Sequence, residues 1–328
     1  MSTEKRNENF MLKQSRYSKG KKNVKQYSKN NASKKSGSGK NSYNAYYKKN
    51  DDGFQPKSNG KSNYSKKKYP SKSKGYPKKN AQKPSIKIAF LGGLNEIGKN
   101  ITLVECENDI IIIDCGMAFP DGDMLGVDLV IPDFTYIEQN ADRVKGIILT
   151  HGHEDHIGGL PFLLSKVNVP IYGTPLTLGL VGNKLKEHSL YNQSQLNVIN
   201  AGQSIKLGCM KIDFIHVNHS IPDAVAFAIH TPGGTIVHTG DFKIDCTPIT
   251  GDMIDLSSFA RVGDEGVLAL LSESTNAERP GYTPTERTVS DSLDNLFKSA
   301  ENYRIIIATF ASNVNRVQQI IDLSLIHI

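Results

Sequence analysis

The sequence predicts an α+β fold in which two β-sheets lie face to face between layers of helices, preceded by a basic segment with no core of its own. Three observations carry this. From Ser85 onward, short apolar runs alternate with Gly, Asn and Pro punctuation. Most of these runs follow one another at hairpin distance, with helical spacing only interspersed, which favours a two-sheet sandwich over a doubly wound parallel sheet. Residues 1–84, by contrast, contain Leu12 and Val24 as their only Leu, Ile or Val, too little apolar surface to offset the entropy of ordering the chain.

The elements read in order as follows. Ile86 to Leu91, Ile101 to Cys106 and Ile110 to Asp114 are short strands separated by turns, and Gly146 to Thr150 is a fourth. Ile157 to Val167 has helical spacing. Pro170 to Gly173 reads as strand and Leu176 to His188 as helix. Strands are expected at Gln195 to Asn200, Ile205 to Leu207, Lys211 to Val217 and Ala224 to His230, and Pro232-Gly233-Gly234 turns the chain into a strand at Thr235 to Asp241. A third stretch follows: strand Val267 to Glu273, an amphipathic helix from Thr285 to Ala300 opened by a polar cap, strand Arg304 to Phe310, and helix Val314 to Leu323.

The formal net charge of +7 over 328 residues averages two opposed segments. Residues 1–84 hold 24 Lys+Arg against 4 Asp+Glu, a net +20, which leaves 16 against 29, a net −13, for residues 85–328. The first segment reads as a disordered basic tail. With 8 of the 13 tyrosines, it resembles a nucleic-acid tether, since Lys meets phosphate and Tyr stacks on bases; the plainer alternative is a solubilising tail. Apolar runs such as Ile110 to Ile113 fall far short of the roughly 18 residues of a membrane span, and the polar amino terminus lacks a signal-peptide apolar region. A cytoplasmic protein without membrane contact is the expectation. Cys106, Cys115, Cys209 and Cys246 form no CxxC, so neither a thiolate zinc site nor a disulfide framework is indicated.

The strongest chemical signal is His151-Gly152-His153-Glu154-Asp155-His156, at a strand-to-helix turn. Three imidazoles and two carboxylates within six residues suit Zn²⁺, and Gly158-Gly159 lets the following helix approach the sheet closely. Gly92 to Gly98 lacks both a P-loop and GxGxxG, and reads as a tight turn near the metal cleft. His216, His230 and His238 read as core or supporting histidines, and His188 as a helix-end cation.

This HxHxDH sequence resembles the signature of the metallo-β-lactamase superfamily. Asp114, His219 within Asn218 to Asp223, and Asp241 within His238-Thr239-Gly240-Asp241-Phe242 match its other motifs. A finer resemblance, to the bacterial ribonuclease J family of β-CASP nucleases, rests on Phe119-Pro120-Asp121, Gly126 to Asp133, His238 to Lys243 and Glu273-Ser274-Thr275-Asn276. It implies an αββα metallo-β-lactamase sandwich over 85–265 and the start of an inserted α/β β-CASP domain over 266–328, whose further strands and distal histidines the chain does not reach.

The resemblance further implies two Zn²⁺ ions. His151, His153 and His219 hold one, Asp155 and His156 the other, and Asp241 bridges both, while Asp114 orients ligands from behind. The second ion is then weak in this chain. The implied activity is hydrolysis of single-stranded RNA, especially 5′-monophosphorylated RNA, in 5′-to-3′ exonucleolytic and endonucleolytic modes during RNA maturation and decay, by a dimer or tetramer. Glu273 matches the first β-CASP motif. Phe310-Ala311-Ser312-Asn313, at a helix start, is the expected contact near a 5′ phosphate, with an ordinary helix cap as the alternative. Rival readings are a small-molecule hydrolase of the same superfamily and an RNA-binding or assembly protein without catalysis.

Overall fold

Period-two burial explains the sheets. In the computed structural model, which describes residues 83–300 and 302–326, strand β3 (Asp109–Ile113) sends Ile110 and Ile112 to one core and Ile111 and Ile113 to another. Strand β2 (Ile101–Cys106) splits likewise, Ile101 and Leu103 against Val104 and Cys106. Successive side chains point to opposite faces, and both faces are covered, so these strands appear in sequence as near-continuous apolar runs. All but two residues of the basic tail lie outside the described residues.

The first sheet has the order β1 (Ile86–Gly92), β2, β3, β4 (Val144–Ile148), β5 (Ile171–Gly173), β6 (Leu196–Val198); its first three strands are antiparallel and the rest parallel. The second has the order β11 (Ala269–Leu271), β10 (Gly234–His238), β9 (Val225–Thr231), β8 (Met210–His216), β7 (Ser204–Leu207). It is antiparallel except for the pair β10 and β11.

One core lies between the sheets and includes the edge-to-face pair Phe214 and Phe227 with ring centroids 5.1 Å apart. A second packs the outer face of the first sheet against α1 (Thr135–Gln139), α3 (Leu160–Leu164) and α4 (Pro175–Glu187). A third packs the outer face of the second sheet, where Ala224, Ala226 and Ala228 leave room, against Val262 and Phe259 of α5 (Leu256–Glu265). The layers are therefore αββα, as expected.

Three local differences have physical causes. The predicted helix over 157–167 is two pieces, α2 (Glu154–Ile157) and α3, interrupted at Gly158-Gly159. Residues 304–310 form no strand, because among the described residues they have no ladder partner; Ile306 is 88% exposed. The strand expected to open a separate stretch, β11, instead adds to the edge of the second sheet beside β10. Helices α6 (Glu286–Ser299) and α7 (Val314–Ile326) follow, and Thr285 caps the first. Among the described residues no helix is long and apolar enough to cross a membrane.

Candidate metal centre

Four strands deliver the predicted residues to one edge of the sandwich. β3 and β4 are parallel neighbours, and β8 and β10 both run antiparallel to β9 between them. Asp114 follows β3, His151 to His156 follow β4, His219 follows β8 and Asp241 follows β10. Beneath the site the Val225 amide donates to the Thr150 carbonyl at 2.9 Å, stitching the sheets together.

Local backbone geometry aims the ligands. His153 is extended (φ −73°, ψ 151°) and precedes α2, so His151 and His153 come from the loop, Asp155 and His156 from the helix's first turn. The loop packs so tightly on the turn after β3 that a Cβ on Gly116 would lie 1.6 Å from the Asp155 carbonyl oxygen. Asp114 is left-handed at φ 59°, a conformation that Asp tolerates better than most residues.

His151 Nε2 lies 3.1 Å from His153 Nδ1, which lies 3.2 Å from His219 Nε2. Ligand atoms on a tetrahedral zinc stand about 3.3 Å apart, given bonds of roughly 2.0–2.1 Å. Two of the three pairs therefore have the spacing that one cation requires, and the group's ligand atoms all lie within 4.8 Å of one another. A second group able to hold an ion is His151, His156 and Asp241. Asp155 is not in that group, although its Oδ2 is 3.5 Å from His156 Nε2; Asp241 Oδ2 is also 3.5 Å from that nitrogen and 3.8 Å from His219 Nε2.

Buried Asp114 and Thr150 fix the rings from behind. Asp114 accepts from the Thr150 amide and hydroxyl, both at 2.8 Å, and from His156 Nδ1 at 2.8 Å. The Thr150 oxygen, 3.0 Å from His151 Nδ1, then serves as acceptor for that ring. Both imidazoles consequently direct Nδ1 away from the site and Nε2 into it.

Electrostatics agree with that donor set. Burial, with the neighbouring imidazoles adding to it, pushes His151 well below the ordinary histidine range. Burial also lowers His153, against Asp155, and lowers His219 to about 4, against Asp241. For His156, burial opposes the charge, but Asp114 and then Asp241 outweigh it and raise the ring well above its usual value. Asp241 is held at about 2 despite burial, first by its bond to His156. His151, His153 and His219, all lowered, beside an ionised Asp241 form a donor set suited to zinc. Among the described residues, His153 Nε2 is buried with no hydrogen-bond partner.

A cleft of about 760 Å³ opens beside the second group, with Asn95, Asn100, Asp241, Glu273 and Thr275 in its lining and the turn from Gly92 to Gly98 at its edge. Glu273 accepts from the Thr275 amide at 3.0 Å. Of the segment 310–313, the Ser312 backbone comes close enough to His153 to bear on its charge, while Phe310 is 84% exposed and Ala311 is exposed. Asn313 caps α7, accepting from the Arg316 amide at 3.2 Å. His216 and His230 are held by the Asp252 carbonyl and by Asp213. His238 accepts from the Gly240 amide beside Asp241. His188 ends α4.

Sequence reasoning missed Thr150 and Asn100. Thr150 stands directly before His151 and was legible as a strand end, whereas Asn100 meets Asp155 only through the fold.

Residues 94–282 match the metallo-beta-lactamase superfamily. The chain belongs to that superfamily. It is 48% identical over 244 residues to ribonuclease J2 of Bacillus subtilis, covering 74% of this chain and 43% of that protein. It is also 48% identical to ribonuclease J of Helicobacter pylori strain J99, covering 73% and 35%, and 46% identical to ribonuclease J of Synechocystis, covering 76% and 39%. The chain thus spans less than half the length of these relatives. A crystal structure of an Enterococcus faecalis protein of unknown function shares the fold, with a TM-score of 0.54 and 18% identity over 73% of this chain and 63% of that one.

Proposed function

We propose that this chain serves a zinc-dependent ribonuclease of the ribonuclease J kind, hydrolysing RNA phosphodiester bonds as a 5′-to-3′ exonuclease and endonuclease in cytoplasmic RNA maturation and decay. The observation that carries the reading is the convergence of His151 Nε2, His153 Nδ1 and His219 Nε2, with Asp241 and His156 alongside. Similarity to ribonuclease J proteins supports RNA as the substrate.

In this reading His151, His153 and His219 hold one zinc, Asp155 and His156 the other, and Asp241 reaches both. Bound zinc supplies Lewis acidity and a hydroxide nucleophile near neutral pH. The chain's own part is orientation. Asp114 keeps the proton on His156 Nδ1, Thr150 does the same for His151, and the sealed strand ends fix the spacing. The cleft carrying Glu273 and the approach past Ser312 admit a single strand, with 310–313 nearest the 5′ monophosphate. The basic tail supplies non-specific attraction to RNA that a folded part of net −13 does not. Association into dimers or tetramers belongs to the same proposal.

Cleavage of a 5′-monophosphorylated single-stranded RNA by the zinc-loaded chain tests it. Asp241→Ala is expected to reduce cleavage to background while RNA affinity stays within about three-fold, since affinity comes mainly from phosphate contacts elsewhere. Wild-type turnover by the variant with normal zinc content overturns the role of Asp241. No cleavage by the zinc-loaded wild type counts against the nuclease reading of this chain.

A further inference from the structure

We propose that Glu286 is the positioning residue that sets where the 310–313 segment stands relative to the metal centre, and with it how strongly a 5′ monophosphate is held; the inference rests on reading 310–313 as the contact nearest that phosphate. The two oxygens of its carboxylate hold opposite sides. Oε1 accepts from Arg316 Nε at 3.2 Å and from Arg316 Nη2 at 2.7 Å, whereas Oε2 accepts from Lys243 Nζ at 3.3 Å.

Each partner is tied to one of the two places brought together. On the metal side, Lys243 follows Asp241 closely in the chain, and its amide donates at 2.8 Å to the carbonyl of Asn218, the neighbour of His219. Asn218 is itself pinned, donating to the Asp252 carbonyl and accepting from the Ile254 amide, both at 2.8 Å. On the other side, the Arg316 amide donates to Asn313 Oδ1 at 3.2 Å, which fixes the end of the 310–313 segment to the first turn of α7. A hollow of about 30 Å³ lies between, with His219, Lys243, Glu286 and Asn313 in its lining.

The bridge is sheltered as well as connected. The Lys243 and Glu286 side chains are 19% and 17% exposed, so water screens their attraction less than that of an open surface pair. Asp245, whose side chain is 1% exposed, stands 3.4 Å from Lys243 Nζ and accepts from the Glu286 amide at 3.1 Å. Two cations and two anions therefore cancel. A neutral residue in place of Glu286 leaves Lys243 and Arg316 to one carboxylate and removes the point on which both converge. The Thr250 hydroxyl, which donates to Asn315 at 2.9 Å, remains as a tether without fixing the distance from His219 to Asn313.

Binding of a short phosphorothioate RNA to the full chain, in its 5′-monophosphorylated and 5′-hydroxyl forms, tests this with no reference to turnover. The basic tail attracts both forms alike and cancels in the ratio of affinities. Wild type is expected to prefer the monophosphate. Glu286→Gln is expected to reduce that preference about ten-fold and Arg316→Ala about five-fold, as displacing a contact group does, while affinity for the 5′-hydroxyl form stays within about three-fold because it comes from phosphate contacts elsewhere. Arg316→Lys, which keeps a cation beside Oε1, is expected to retain most of the preference. Removing a carboxylate without moving the segment would strengthen phosphate binding, so a weaker preference in Glu286→Gln reports displacement. A preference kept or raised in that variant overturns the positioning role, as does an equal loss of affinity for both RNAs, which a loosened fold produces. No preference in the wild type overturns the reading of 310–313, and the role of Glu286 with it. Amide exchange that quickens over 310–316 in Glu286→Gln, with β2 to β4 unchanged, separates a displaced segment from an unfolded chain.

Discussion

The double sheet and the segment after β11 are held by different forces. Every residue of β2 is buried, as are Ile110 to Ile113 of β3. In α6 and α7 the buried residues are Phe297 and Gln319, while Leu296, Ile306 and Phe310 are 62%, 88% and 84% exposed. What fastens the helices is charge. Glu286 at the start of α6 meets Arg316 of α7 at 2.7 Å and Lys243 at 3.3 Å, and Lys243 meets Asp245 at 3.4 Å. Asp245 in turn accepts from the Glu286 amide at 3.1 Å. The contrast teaches where precision resides. Imidazole nitrogens near 3 Å apart are held by a sealed apolar interior, whereas a polar clasp holds the segment beside them and leaves apolar surface open to further packing.

The sharpest way to break the sealed region is at Gly116. Gly116→Ala forces a methyl into a backbone carbonyl that cannot yield, and is expected to cost at least about 4 kcal/mol and to lose metal binding with the fold, read by thermal unfolding and metal analysis. Phe227→Ala is expected to cost about 3–5 kcal/mol, and Ile306→Ala in the other region less than about 0.5 kcal/mol. Urea midpoints of the pair measure the contrast directly, and equal values would erase it.

A smaller effect belongs to Glu105. The Lys87 ammonium, against the cost of burial and with help from Tyr136 and Arg143, holds its carboxyl at about 2, below the usual 4.5. A lowered folded value means stability that is complete above pH 4.5 and lost as pH falls toward 2. Because the Lys87 side chain is 70% exposed, solvent screens much of this contribution. The stability gap between wild type and Glu105→Gln is therefore expected to shrink between pH 6 and pH 3. Arg316→Ala is expected to weaken the clasp by about 1 kcal/mol, visible as faster amide exchange in α7 with β2 to β4 unchanged.

The same contrast governs what the sequence made legible. Strands buried on both faces, such as Ile110 to Ile113, leave an apolar run that needs no context to be read. Histidines and aspartates at strand ends stand out because packing rarely explains them. Residues 304–310 have strand composition, but pairing depends on a neighbour, and composition does not report one. Helix α5 passed unread because its amphipathic pattern buries only Val262 fully. Asn100 was invisible for a related reason: its meaning lies in Asp155 and His156, 55 and 56 positions away.

His151 and His153 come from a strand end of one sheet and His219 from a strand end of the other. In the proposed site, an ion shared among them would close the intervening chain into a ring, as a cross-link would. For the roughly 70 residues between His151 and His219, loop-closure entropy is worth about 4 kcal/mol against the unfolded chain. Chelation would then remove a topological constraint as well as a reagent, and the chain without its ion would unfold as an open thread.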